Sequence, residues 1–228
     1  MTEATKAKAW IHRLLANPID GPGIEARSLA QIDSEAPAHN FTPAQWAVVR
    51  RMIHTSADFS LIPQVKFSQN AISSARAALR KGVSIFADSN MIRSGLSLAR
   101  LRTLNAGYSA ESLRCHVADA DVAEQAKQHH LPRSLFAVQK ARPILDGGIA
   151  LFGNAPVALL ELNRMVMEEG IRPALVIAMP VGFVHVVESK DELMSLDIPW
   201  IALEGRRGGS TLAVAALHAI ANLPDDCE

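Results

Sequence analysis

Cysteine is scarce in this chain: its 228 residues hold only Cys115 and Cys227, and the two form no CxxC pair. That excludes a disulfide framework and a thiolate zinc site. Aromatics are few, with one tyrosine, three tryptophans and seven phenylalanines, which leaves little to stack against single-stranded bases. Neither sign of charge dominates. Lys plus Arg and Asp plus Glu each number 23, and the isoelectric point is near 7.1. The basic excess that duplex DNA or an anionic membrane calls for is therefore missing. Long apolar runs are missing too: the most apolar stretch, ALVIAMPVGFV at 174–184, is broken by Pro180 and Gly182 and is too short to span a bilayer. The N-terminal MTEATKAKAWIHRLL is charged and helical in pattern, without the apolar core of a secretion signal. A soluble, cytoplasmic protein with neither nucleic acid nor membrane as partner is expected.

What is present is an apolar composition of 49% with 20% charged residues, enough for a sizeable core. Arginine outnumbers lysine, sixteen to seven, and its rigid fork suits carboxylates and phosphates. The first third reads as helical. Helices are expected over about 5–15, 24–35, 42–58 and 68–82. The third opens on Thr42, Pro43 and Gln45 as a capping box and should bury Trp46, Val49, Ile53 and Ala57. The fourth is expected to start at Ser68 and stop at Gly82. Then the rhythm changes. VSIFAD (83–88), IALFG (149–153), ALVIAM (174–179) and WIALEG (200–205) are short apolar runs, each followed by a polar or Gly/Pro loop and a helical pattern. Strands apolar on both faces that alternate with helices mean a parallel sheet covered on both sides. The expected fold is a three-layer α/β/α sandwich with a mostly parallel central sheet and a helical N-terminal segment, in one domain over 1–228.

In open parallel sheets ligands bind beyond the carboxyl ends of the strands. The loop EGRRGGST places Arg206 and Arg207 beside two glycines and a helix start, a cradle for an anion but neither a Walker loop nor a GxGxxG turn. Asp88, at a strand end, is expected to cap the following helix, with metal binding or substrate orientation as the other uses. Asn154 is expected as an N-cap with Pro156 just inside. Among eight histidines, His12, His39, His129, His130 and His218 read as surface or loop residues, and His116 shows no partner. His54 differs: it sits late in the capped helix, beside the apolar stripe, with Arg50 and Arg51 on neighbouring faces. A satisfied helical histidine and a catalytic one fit that pattern equally. No GxSxG elbow or HExxH pair is present.

The blocks IEARSLAQI, RRMIHTSADF, ARAALRKGVSIFADSNMIRSGLS, GNAPVALLEL, AMPVGFVHVVESKDEL and GRRGGSTLAVAALHAIA resemble, in order over about 23–223, the precorrin-8X methylmutase family of cobalamin biosynthesis. The resemblance implies an isomerase that moves a methyl group from ring carbon 11 to ring carbon 12 of a corrinoid, metal-free or cobalt-containing. It implies no cofactor and no metal, and a homodimer with its active site near the subunit interface. His54, in RRMIH, would be the catalytic acid or hydrogen-bond donor to a ring nitrogen. Arg27 and Ser28, Arg51, Met91, Ser97 and, in a divergent block, Arg133 would bind substrate. Arg206 and Arg207 would meet its acetate and propionate arms, and Met91, Ile92 and Leu96 would wall the macrocycle. Residues 1–22 read as an extension without a family match, and His185 stands where the family is expected to have Gly or Asn. The rival reading is a corrinoid- or tetrapyrrole-binding protein that has lost turnover.

Overall fold

Strands that are apolar on both faces need cover on both faces, and the chain supplies it with helices. A computed structural model describes residues 9–225. Cys227 and the opening of the expected first helix lie outside the described residues. The chain divides into two compact units, the boundary falling between Pro37 and Ala38. In the first unit, α1 spans Ile11–Ala16 and α2 spans Gly21–Glu35. The glycines and proline of DGPG, outside the helix expected over about 24–35, instead open α2. The Asp20 carboxylate accepts from Gly23 N at 2.9 Å, and Pro22 sits in the first turn, where no N–H is needed.

The second unit begins with α3 (Pro43–Ser56), and both bonds of its capping box form: Gln45 N to Thr42 Oγ1 at 3.3 Å and Thr42 N to Gln45 Oε1 at 3.1 Å. Its buried stripe is Val48, Val49, Met52 and Ile53. Two expected members fall outside it. Trp46 is half-buried and stacks on His39 with ring centroids 4.1 Å apart, so His39 is not a free surface residue either. Ala57 is exposed and ends the helix at φ 53°. A short edge strand β1 (Val65–Phe67) follows, then α4 (Ala71–Lys81), which stops at Gly82 in the left-handed region. Ser68 does not cap α4. It extends the strand pairing, its hydroxyl accepting from Trp200 N at 2.8 Å while its N–H donates to Trp200 O at 2.9 Å.

From β2 (Ile85–Ala87) the chain passes through α5 (Asn90–Gly95) and α6 (Leu98–Leu101) to β3 (Leu113–Arg114). It returns through α7 (Ala120–His129), α8 (Arg133–Lys140) and α9 (Arg142–Leu145) to β4 (Ile149–Phe152). Then α10 (Pro156–Glu169), β5 (Leu175–Ala178), α11 (Val186–Met194), β6 (Trp200–Leu203) and α12 (Ser210–Ala221) complete it. The sheet order is β1-β6-β5-β4-β2-β3, parallel throughout except β1 against β6. One face, presenting Phe86, Ala150, Phe152, Val176, Ala178 and Ala202, packs under α8, α9, α10 and α11. The other lies under α4 and α12, with α3 packed on α12. Residues on nearly every side of α12 are buried, as an all-round apolar helix requires. Each fully buried Leu or Ile there contributes roughly 1.5–3 kcal/mol. Buried Arg76 of α4 donates to the carbonyls of Ile220 and Leu223 at the end of α12, satisfying acceptors that a helix terminus leaves open.

Strand progression reverses between β2 and β4: the chain runs outward to β3, then doubles back to β4, β5 and β6. Such a reversal opens a crevice at the carboxyl ends of the strands.

Candidate functional site

The crevice between β2 and β4 is filled from within. Asp88, 2% exposed, follows β2 and accepts through Oδ2 from Gly153 N (3.1 Å), Asn154 N (2.8 Å) and Ala155 N (2.7 Å), beyond β4. Its Oδ1 is buried without a hydrogen-bond partner among the described residues. Burial pushes the Asp88 carboxyl above its usual range, and the three backbone bonds pull the other way. The expected capping role belongs to the next residue. Ser89 Oγ accepts from Ile92 N at 3.3 Å to open α5 and lies 3.1 Å from Ser210 Oγ at the start of α12. Asn154 is likewise not the N-cap of α10. Ala155 takes that position without a side-chain cap, and Asp88 instead holds the N–H groups of residues 153–155 just before the helix.

The neighbouring loops are held as firmly. A side chain at Gly153 would meet Ser210 Cα at 2.6 Å, and one at Gly208 would meet the Met179 carbonyl at 2.1 Å. Fully buried Lys190 of α11 donates to the carbonyls of Gly205 (2.9 Å) and Arg207 (2.7 Å), and burial lowers its pKa to about 8. Arg207 is committed to Asp58 and Ser60, just past α3. It therefore clamps two segments together within the protein, and is not simply offered to a ligand. Arg206 is exposed, 5.5 Å from the ring of Phe183, itself 83% exposed.

Beside the filled crevice, α3, α5 and α12 enclose a cleft of about 220 Å³ lined in part by Arg51, Thr55, Met91, Ser210, Thr211 and His218. Arg51 and Met91, from separate sequence blocks, meet here. Half-buried His54 lies on the same last turn of α3 as Arg51 and Thr55. Ser97 caps α6, and its N–H donates to His218 Nε2 at 2.9 Å. Sequence reasoning placed His218 at the surface, whereas it is 8% exposed. Nothing local marks it, since its partners come from α3 and α6. Burial, then the charges of Arg100 and Arg51, lower its pKa from 6.5 to about 4.

A folded-state pKa below the unfolded one means that the unfolded chain binds the extra proton between those values. Stability is therefore complete above about pH 6.5 and declines as pH falls toward 4, by on the order of 3 kcal/mol from this group. Urea unfolding across that window should show the decline, and His218→Gln should flatten it. Identical slopes in both proteins would refute the assignment.

Other expected residues lie elsewhere. Arg27 and Ser28 are adjacent on α2 in the first unit, exposed and half-buried respectively. Exposed Arg133 starts α8, in the layer across the sheet from α3 and α12. Of the expected aliphatic wall, only Met91 is exposed, at 68%; Ile92 and Leu96 are buried at 0% and 7%. His116 has a partner after all, with Nδ1 2.9 Å from Asp119 Oδ2. His185, exposed before α11, has φ 59°. That conformation is natural to Gly or Asn and tolerated by His. Among the described residues no helix is long and apolar enough to cross a membrane, and no group of three or more His, Cys, Asp or Glu could hold a metal ion.

Comparison with known proteins gives a consistent picture. The family profile described as precorrin-8X methylmutase matches residues 23–223. A cobalt-precorrin-8 methylmutase of Leptospira interrogans is 43% identical over 88% of this chain and 92% of its own length. A protein of the same name from Priestia megaterium is 42% identical, covering 89% of this chain and 88% of its own. A crystal structure of a precorrin-8x methyl mutase from Thermus thermophilus superposes with a TM-score of 0.80 at 44% identity, over 88% of this chain and 95% of that one.

Proposed function

Because the chain belongs to the precorrin-8X methylmutase family, we propose that it binds its corrinoid at the cleft between α3, α5 and α12 and isomerises it there. It is an isomerase of cobalamin biosynthesis, a reading the comparisons favour over a non-catalytic corrinoid binder. The reaction moves a methyl group from ring carbon 11 to ring carbon 12, turning precorrin-8X into hydrogenobyrinic acid or cobalt-precorrin-8 into cobyrinic acid. The Leptospira and Priestia relatives are named for the cobalt form, whereas the Thermus structure, at 44% identity, is named for precorrin-8x.

A migration within one molecule asks little of the protein: a fixed ring conformation and one proton supplied to or shared with the conjugated system. His54 is the proton or hydrogen-bond donor, acting on a ring nitrogen. Arg51 and Met91 hold the ring from either side of the cleft. Ser97 fixes α6 against His218. Arg206 receives a carboxylate arm, and Arg207 presents the loop that carries it. The observation carrying this reading is the meeting at one cleft of Met91 from α5 with Arg51 and Thr55 from the last turn of α3, the turn that also bears His54, although His54 itself does not line the cleft.

Arg27, Ser28 and Arg133 serve substrate in a homodimer whose active site lies near the subunit interface, in the cytoplasm. Support for a second subunit comes from Val181, Phe183 and Val184, 45%, 83% and 67% exposed on the loop after β5. Contiguous exposed apolar side chains of this size favour a covering partner. The whole chain acts as one functional domain, with residues 1–22 as an extension. The test is incubation of the purified protein with precorrin-8X and with cobalt-precorrin-8, followed by absorption spectroscopy. Conversion of either form supports the reading; conversion of neither overturns it.

A further inference from the structure

Beyond the Met91 cleft, α5 borders a second cavity. It measures about 280 Å³, opens past the carboxyl ends of β2 and β3, and is lined by Arg93, Glu111, Arg114, Cys115, His116 and Asp119 among others. Two arginines reach it from different elements, Arg93 from α5 and Arg114 from the end of β3. Neither guanidinium makes a hydrogen bond or ion pair among the described residues. The acids nearby are already engaged. Lys140 Nζ lies 2.7 Å from Asp119 Oδ2, which also holds His116 Nδ1. The Ser109 hydroxyl donates to Glu111 at 2.5 Å, and that bond, with the nearby Arg114 and Arg93 charges, holds the Glu111 carboxyl below its usual range. Cys115, half-buried beside Asp88, has its thiol pushed up by burial and so adds no thiolate.

We infer that this cavity is a subsite for one carboxylate arm of the macrocycle, with Arg93 and Arg114 as its binding residues. The inference rests on the corrinoid reading above and names a contact that reading does not require. Met91 and Gly95 face the first cleft, while Arg93, between them on the helix, faces the second. A helix with its side chains is about 10–12 Å across. A ring resting over exposed Met91 therefore has arms on both flanks of α5. Paired guanidiniums are the donors that fit a carboxylate with two parallel bonds. His116, turned by Asp119, offers a third polar contact.

Binding of hydrogenobyrinic acid, followed by absorption titration, tests the subsite without turnover. Arg93→Ala and Arg114→Ala should each raise Kd about tenfold, and the double variant on the order of 100-fold, with KM rising more than kcat falls. Lys81→Ala, which removes one surface charge at the end of α4, should leave Kd unchanged. The same corrinoid with its side arms converted to amides should bind wild type and double variant alike. If the double variant binds the acid within twofold of wild type, or discriminates acid from amide as wild type does, the subsite is overturned. If wild type binds with the arginine dependence but converts no substrate, the subsite stands and the isomerase reading falls. If wild type binds no corrinoid, both fall. Both side chains are exposed, and melting curves establish that the variants fold.

Discussion

Replacing His54 with alanine should lower turnover by about 10²- to 10⁴-fold, the range that a positioned proton donor contributes. Affinity for the product should change far less. His54 stands on the last turn of α3, whose position is fixed at both ends: by the Thr42–Gln45 box at the start, and by the Asp58–Arg207 pair just past the finish. Its backbone is therefore placed whether or not the imidazole is there. The variant should fold, bind corrinoid and fail in chemistry. Single-turnover absorption changes measure the chemical step, and titration with hydrogenobyrinic acid measures binding. A His54→Ala protein that turns over within tenfold of wild type, or whose pH–rate profile matches it, would remove His54 from the mechanism. Equal losses in turnover and product binding would make it a binding residue.

The second large effect is on stability. Asp88→Ala should destabilise the protein by about 3–5 kcal/mol, a large part of the roughly 5–15 kcal/mol that holds a typical domain together. Removing the carboxylate strands the N–H groups of Gly153, Asn154 and Ala155 at the edge of the core. The cavity left behind adjoins Ser89, whose hydroxyl meets Ser210. Three loops would loosen together, so activity should fall with stability. Asp88→Asn can place its amide oxygen where Oδ2 stands, facing the three N–H groups, and should retain most of both. Urea unfolding of the three proteins decides the matter. A loss below 1 kcal/mol in Asp88→Ala would show that water or the backbone replaces the carboxylate at little cost.

The four central strands were legible because burial on both faces writes itself into consecutive apolar residues: IALF and LVIA are buried at every position. The start of α3 was legible because a capping box is local, complete within four residues. Strands β1 and β3 were not, since three and two residues carry no periodicity and pair only because neighbours are already in place. The start of α2 was misread because proline and glycine mark both breaks and helix openings.

Of the residues expected at the candidate site, only Arg51 and Met91 line the cleft, and the wiring around them was not legible. Arg51 and Met91 were expected and do meet. What pattern could not supply were the long-range partners: Asp88 with Gly153, Ser97 with His218, Arg207 with Asp58. Each joins residues more than sixty positions apart. Nothing in the local sequence distinguishes an aspartate that caps the next helix from one that braces a distant loop. His218 was misplaced for a similar reason. A lone polar residue in an apolar helix reads as a surface position until the helix is seen to be enclosed.

The carboxylate lodged between β2 and β4 also bears on how this scaffold could be altered. In open α/β sheets that crevice is where nucleotide cofactors enter, and glycine-rich turns keep it clear for a pyrophosphate. Here it is closed by a buried carboxyl group whose Oδ2 already occupies the loop N–H groups that a phosphate would need. Grafting a phosphate-binding turn onto one of these loops would not by itself yield a nucleotide site. A designer would first have to evict Asp88 and find another brace for the β4 loop. Enlarging the neighbouring clefts on either side of α5 is the less obstructed route to new ligands.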